Sequence, residues 1–227
     1  MAGYRRLERT DRDRLLDSAV LLYLWAGAQS RAGDAAGDRL KLAKLAFLAA
    51  NDLYWNRIKA VNLSFFRYQF GPFSRDLYAN WDELTAAGHL VEEEQFRVTE
   101  QGQNLARQFG EQVLGAEPNA EIRHRLDCLL DTYAPLSTEA LLDRVYKMRC
   151  RALDLPGLHT VRDLPMYTDL TGVLDASEAG LVLAVSPGWE VSLELAFHPD
   201  ALANLQTGIE DARQGRVFGW EALGGAI

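Results

Sequence analysis

Apolar residues recur at three- and four-residue steps between Asp11 and Ser30: Leu15, Leu16, Ala19, Val20, Leu22, Tyr23 and Ala26. That spacing gives a helix one buried face. The stretch Gly33-Asp34-Ala35-Ala36-Gly37 breaks the pattern, and the Asp38 carboxylate can cap a second helix over 39–55. Leu42, Leu45, Ala46, Ala49 and Leu53 form its inward stripe, with Phe47 and Tyr54 on its flanks and Lys41 and Lys44 snorkelling beside it. From Val61 to Tyr68 the period drops to two, with Val61, Leu63 and Phe65 alternating with Asn62 and Ser64. This is the pattern of a half-buried strand.

Gly71-Pro72 ends that strand, and Gly71 is expected to need a backbone conformation that a Cβ disfavours. Ser74 is placed as the cap of a helix over 75–87, with Phe73 and Tyr78 as its hydrophobic staple and Gly88 past its end. Phe70 and Phe73 are expected in the core. Leu90-Val91 and Phe96-Arg97-Val98, separated by Glu92-Glu93-Glu94-Gln95, predict a small hairpin, and Thr99 caps a helix over 100–114. Beyond Pro118, the stripe Ile122, Leu126, Leu129, Leu130, Tyr133 predicts one helix. Ser137 then caps another that carries Leu141, Leu142, Val145 and Tyr146.

Residues 152–166, with Pro156, Gly157 and Pro165, read as a linker. After it, Leu181–Val185 and the alternating Val191, Leu193, Leu195, Phe197 flank Ser186-Pro187-Gly188 and predict a β-hairpin. Pro199-Asp200 starts a last helix to about 214, with Leu202, Leu205 and Ile209 inward, and Val217-Phe218 returns as a short extended piece. The expected fold is α+β and mainly α. It comprises an elaborated winged-helix-like domain (1–115), a helical extension (116–155) and an acidic tail of β-hairpin plus helix (156–227).

Charge changes this picture in one respect. Of the net −8, residues 161–227 carry −7, from 10 acidic and 3 basic side chains, whereas residues 1–60 carry +4, from 11 and 7. An acidic tail on a mildly basic head argues against wholesale coating of nucleic acid and fits a basic protein partner. No apolar run approaches the roughly 18 residues of a membrane helix. The start holds Arg5, Arg6, Arg9, Arg12 and Arg14 with no apolar segment directly after them, unlike a secretory signal. Two cysteines, Cys128 and Cys150, are too few for a disulfide framework. A cytoplasmic protein is expected.

The stretches Lys41-Leu42 with Lys44-Leu45-Ala46-Phe47, and Arg67-Tyr68-Gln69-Phe70-Gly71-Pro72-Phe73-Ser74 with Leu77-Tyr78, resemble the Panacea domain family of phage-associated proteins. They resemble the related YwgA-like proteins more closely. Gly88-His89-Leu90-Val91, Val98-Thr99-Glu100-Gln101-Gly102, Leu136-Ser137, Leu141-Leu142 and Val145-Tyr146 extend the resemblance over about half of the chain. The resemblance implies a winged-helix-like fold and the role of an antitoxin, or of an adaptor that holds a toxin.

Site chemistry is sparse. His89, His124, His159 and His198 show no metal-ligand spacing. No phosphate loop appears, and no Gly-x-Ser-x-Gly surrounds Ser74. No catalytic residue, metal or cofactor is assigned, and the chain is read as non-enzymatic. Trp189, Phe218 and Trp220 are expected to anchor the protein partner, because Trp and Phe bury large rigid surfaces. Arg67, Tyr68 and Arg75 form the fallback surface on the helical domain. The alternative is a DNA-binding regulator that uses Arg5, Arg6, Arg9, Arg12, Arg14, Arg75 and Asn80. Glu92-Glu93-Glu94 at the wing tip speaks against it, since carboxylates repel phosphates.

Overall fold

The computed structural model describes residues 7–33, 37–93 and 95–216. Its architecture is mainly helical α+β, with small two-stranded sheets between helices. Helix α1 (Asp11–Ala32) opens through a capping box. Thr10 Oγ1 accepts from the Asp13 amide, and the Asp13 carboxylate accepts from the Thr10 amide. That exchange satisfies two of the orphan donors at a helix start. Leu21, Leu24 and Trp25 are as buried as the expected face, because α1 is surrounded rather than laid on a core. It touches α2 (Arg39–Trp55), α3 (Arg75–Ala86), α4 (Glu100–Phe109), α5 (Ala120–Tyr133) and α7 (Pro187–Phe197). No helix among the described residues is long and apolar enough to cross a membrane.

On α2 the two lysines do not snorkel to solvent. Lys41 is fully buried and Lys44 is 3% exposed. Lys44 Nζ donates to the Pro72 carbonyl at 2.8 Å. Burial, and then the nearby Arg67 charge, pull its pKa down to about 8. The apolar stripe of α2 is therefore wider than its sequence suggests, because the next hairpin closes over the polar flank.

That hairpin pairs β2 (Phe66–Tyr68) with β3 (Gly71–Phe73), in register Tyr68 with Gly71 around a two-residue loop. Gly71 has φ +86°, so its predicted need for a left-handed conformation holds. Phe70 lies at the loop tip and is 69% exposed, not core, while Phe73 is half-buried. Ser74, fully buried, caps α3 by accepting from the Leu77 amide at 3.2 Å. Ser74→Ala is expected to cost about 1 kcal/mol. An unchanged denaturant midpoint would mean that the cap carries no weight.

Only part of the expected strand 61–68 joins a ladder. Residues Val61–Phe65 are extended and all buried, so no solvent-facing side exists. Side chains and a distant segment satisfy their backbone groups instead. The Asn62 amide donates to Asp17 at 2.7 Å, the Ser64 amide to Asp76 at 3.1 Å and the Phe65 amide to Thr171 Oγ1 at 3.1 Å. Residues 167–171 then run antiparallel beside β2, with Leu170 N donating to Phe65 O at 2.8 Å and Arg67 N to Thr168 O at 2.8 Å.

The hairpin β4 (Leu90–Glu92) with β5 (Phe96–Val98) follows α3 as expected, and Thr99 caps α4. The expected helix to 114 ends its regular turns at Phe109 and continues as a wide turn to Leu114. Helices α5 and α6 (Thr138–Lys147) match the sequence pattern.

The region after 147 departs from expectation. Residues 152–166 are not a free linker: β6 (Arg149–Cys150) pairs with β7 (His159–Thr160), and Ala152, Val161 and Leu164 are buried. Leu181–Val182 forms β8, which pairs in parallel with β1 (Ile58–Lys59). The predicted β-hairpin over 181–197 does not form, because residues 187–197 are helix α7. Ser186 is its N-cap, accepting from the Trp189 amide, and Pro187 stands in the first turn. Both features start helices. Leu193 and Phe197, four apart, are its buried positions. The core is one cluster running from Leu15 to Phe197. Helix α8 (Pro199–Arg213) follows with nothing buried: Leu202, Leu205 and Ile209, expected inward, are 40%, 47% and 44% exposed.

Candidate binding surfaces

The N-terminal arginines have divided fates. Arg9, a candidate phosphate contact, is held inside: its side chain is 7% exposed, 3.1 Å from Asp17 and 3.4 Å from Asp76. It also donates to Asn80 Oδ1 at 2.6 Å. Asn80 is 1% exposed and donates to Ser18 Oγ at 2.6 Å and the Arg14 carbonyl at 3.0 Å. Neither can touch DNA, because each completes the other's hydrogen bonds inside a closed network. Lys59 extends the network, binding Asp13 at 2.8 Å, Asn62 Oδ1 at 2.9 Å and the Leu174 carbonyl at 2.9 Å. Arg12 pairs with Glu190 of α7 at 2.8 Å, and Arg14 is half-exposed beside Asp11. Arg5 and Arg6 lie outside the described residues.

Helix α3, expected from the sequence as the recognition helix, turns Leu77, Asn80, Trp81 and Leu84 inward. Its exposed positions are Arg75, Ala79, Asp82, Thr85 and Ala86. One cation there is a thin basis for phosphate contact. On the hairpin beyond it, Glu92 pairs with Arg39 at 3.2 Å and Glu93 with Arg97 at 3.7 Å.

Around the β2–β3 hairpin, aromatic rings form a continuous half-exposed strip. Phe66 and Phe73 are 5.5 Å apart between ring centroids, Tyr68 and Phe73 are 5.6 Å apart, and Phe73 stacks on Tyr78 at 5.2 Å. Tyr167 closes the strip, 6.1 Å from Phe66 and 5.8 Å from Tyr68. Tyr68, one of the fallback candidates, is part of this strip, and Arg75 stands exposed two residues after Phe73. Arg67 lies partly beneath. Its Nε donates to the Val161 carbonyl at 3.0 Å, and its guanidinium sits 6.0 Å from the Tyr146 ring. Buried Nη1 of Arg67 has no hydrogen-bond partner.

Nothing in the sequence singles out Tyr167, which directly follows the supposed linker 152–166. It is 67% exposed with φ +66°. A bulky residue in that region stores about 1–3 kcal/mol, and such residues persist where the surroundings over-determine them. Here the Tyr167 amide donates to the Arg67 carbonyl at 2.7 Å and fixes the turn.

The tail anchors are also redistributed. Trp189 is half-buried against the core, 6.2 Å from the Phe109 ring, so it is committed inside the chain. Phe218 and Trp220 lie outside the described residues, as does the extended piece expected at Val217-Phe218. Among the described residues, the exposed large apolar side chains on the two tail helices are Val191 on α7 and Leu202, Leu205 and Ile209 on α8.

Reactive groups are scattered. Cys128 is exposed on α5, its Sγ 3.6 Å from His124 Nε2. Burial pushes the Cys150 thiol up to about 11. His89 is buried, with Nε2 2.9 Å from the Ala196 carbonyl, and burial lowers its pKa. Among the described residues no three His, Cys, Asp or Glu side chains converge as a metal site. Comparison with protein-family models, with curated proteins and with solved structures finds no match to this chain.

Proposed function

We propose that this chain is a non-enzymatic cytoplasmic adaptor of the antitoxin kind, which holds a basic partner protein by covering its surface. The resemblance of the Lys41–Tyr146 stretches to Panacea and YwgA-like proteins supports this reading. So does the order of two helices, a β-ribbon, α3, a hairpin and α4, which suits an elaborated winged helix. One observation carries it. Helix α8 buries none of its residues, yet Leu202, Leu205 and Ile209 recur at the three- and four-residue steps of a packing seam. Such a stripe exposed on a helix is a docking face. Glu210 and Asp211 on the helix pair with Arg213 and Arg216, which leaves Asp200 and, just before the helix, Glu194 as the acidic groups facing a basic partner. The docking face is thereby moved from Trp189 to the α8 stripe.

The test is co-expression with the product of the adjoining reading frame, scoring growth rescue and co-purification. Leu205→Asp combined with Ile209→Asp is expected to abolish both. It should leave the melting curve unchanged, since substitutions at exposed positions stay within about 0.5 kcal/mol. Retention of rescue by the double variant would overturn the α8 assignment. Retardation of the chain's own promoter duplex, steeply weakened by salt, would favour the DNA-binding regulator instead.

A further inference from the structure

A groove of about 930 Å³ lies between α3, the approach to α1 and the segment 167–173. Its walls include Glu8, Ser64, Phe66, Glu83, Tyr167 and Asp169. Its size is that of a ligand site. The charges lining it are Arg9, Arg14 and Arg75 against Glu8, Asp76, Glu83 and Asp169, a balance of 3 − 4 = −1.

The pairing of these charges decides what the groove can take. Arg9 is consumed by Asp17 and Asp76, and Arg14 stands 3.5 Å from Asp11. Glu8 and Glu83 enter no ion pair among the described residues, and both reach the groove. Tyr167, held in its left-handed turn, lines the same groove and presents an exposed ring backed by Phe66 at 6.1 Å. A groove that holds an exposed aromatic face, together with carboxylates free of ion pairs among the described residues, suits a planar cation, which stacks on a ring and hydrogen-bonds carboxylates.

We infer that this groove receives an arginine side chain from an extended segment of the partner protein. The inference rests on the adaptor reading and adds a second contact, separate from α8. Arginine fits better than lysine because a guanidinium offers both a stacking plane and a fork of donors. Arg75, exposed and without an ion pair among the described residues, lines the same groove. It disfavours a continuous basic run and favours one arginine with a neutral or acidic neighbour.

The probe is a blocked pentapeptide of glycine and alanine with arginine at its centre, titrated into the full chain by NMR. The same peptide with lysine or glutamate at the centre serves for comparison. The arginine peptide should bind tightest and the glutamate peptide weakest, with shifts at Tyr167 and Glu83. Glu83→Gln, and separately Tyr167→Gly, should each weaken the arginine peptide severalfold, and together about tenfold. Glycine suits φ +66°, so the second variant keeps the fold while losing the ring. Equal binding of arginine and glutamate peptides, or binding indifferent to both substitutions, would overturn the inference. Partner capture that depends on α8 but not on Glu83 and Tyr167 would overturn it too, while leaving the adaptor reading standing. Arginine-peptide binding that persists in a chain capturing no partner would sustain the groove and sink the adaptor.

Discussion

A chain ended after Leu155 is expected to lose cooperative folding, whereas one ended after His198 keeps it. The shorter fragment removes Val161, Leu164, Leu170, Val173, Leu174, Leu183, Leu193 and Phe197, all buried. Each such side chain contributes about 1.5–3 kcal/mol on burial. Their sum, about 12–24 kcal/mol, matches or exceeds the roughly 5–15 kcal/mol by which an ordinary domain is stable. The fragment also exposes backbone groups at Leu63 and Phe65, whose partners are Thr171 and Leu170. The longer fragment removes only α8 and the residues after it, and no residue of α8 is buried. Circular dichroism melting of the two fragments checks this. A sharp transition from residues 1–155 near that of the full chain would show that the later segment is an accessory to a complete domain. Loss of the transition in residues 1–198 would show that α8 is structural and not a docking element.

Removal of the Asp17 carboxylate is expected to have the largest effect of any single substitution. Asp17 is fully buried, pairs with Arg9 and accepts from the Asn62 amide. Asp17→Ala leaves the Arg9 charge nearly buried with only Asp76 as its ionic partner, and strands the Asn62 amide. Breaking one side of a buried pair costs about 3–5 kcal/mol. Guanidinium unfolding measures it, and a loss under about 1 kcal/mol would show that the network relaxes into solvent. The same group gives a pH signature. Burial, against the pull of Arg9, raises its pKa from 3.8 to about 7. Because the folded value lies above the unfolded one, folding favours the protonated form. This group's contribution is therefore fully present below 3.8 and is lost as pH rises through about 7. Between about pH 4 and pH 7 the full chain should lose stability relative to Asp17→Asn, levelling off above that range. A constant difference between the two would refute the shift.

How the pattern of residues translated into structure differed by element. Helices α1 to α6 and the hairpin β4–β5 were readable from their apolar steps, reinforced in α1 to α4 and α6 by side-chain caps. Thr99 and Ser74 each accept from the third amide of their helix, as their positions in the sequence indicate. Helix α7 was misread because Val191, Leu193, Leu195 and Phe197 satisfy a period of two while Leu193 and Phe197 also satisfy a helical step. A helix start settled the contest: Ser186 as cap and Pro187 in the first turn. Of the candidate binding residues, Tyr68 is half-buried and Arg75 exposed. Arg9 and Asn80 are instead buried in an internal network, since nothing local distinguishes an arginine aimed at phosphate from one aimed at Asp17.

The sequence by itself determined where the chain turns and which segments coil. Those outcomes depend on interactions within a few residues: a side chain on the amide three places along, or the left-handed preference of Gly71. It also determined the acidic character of the last third. The tertiary structure alone decided which side of each element meets water. The same three- and four-residue spacing buries Leu42 and Leu45 on α2 and leaves Leu202 and Leu205 bare on α8. An apolar stripe states that a helix can pack, whereas burial also requires a surface brought against it from elsewhere in the chain. For α2 that surface includes α1, α5, α6 and the β2–β3 hairpin; for α8 the described residues supply too little to bury any of its side chains.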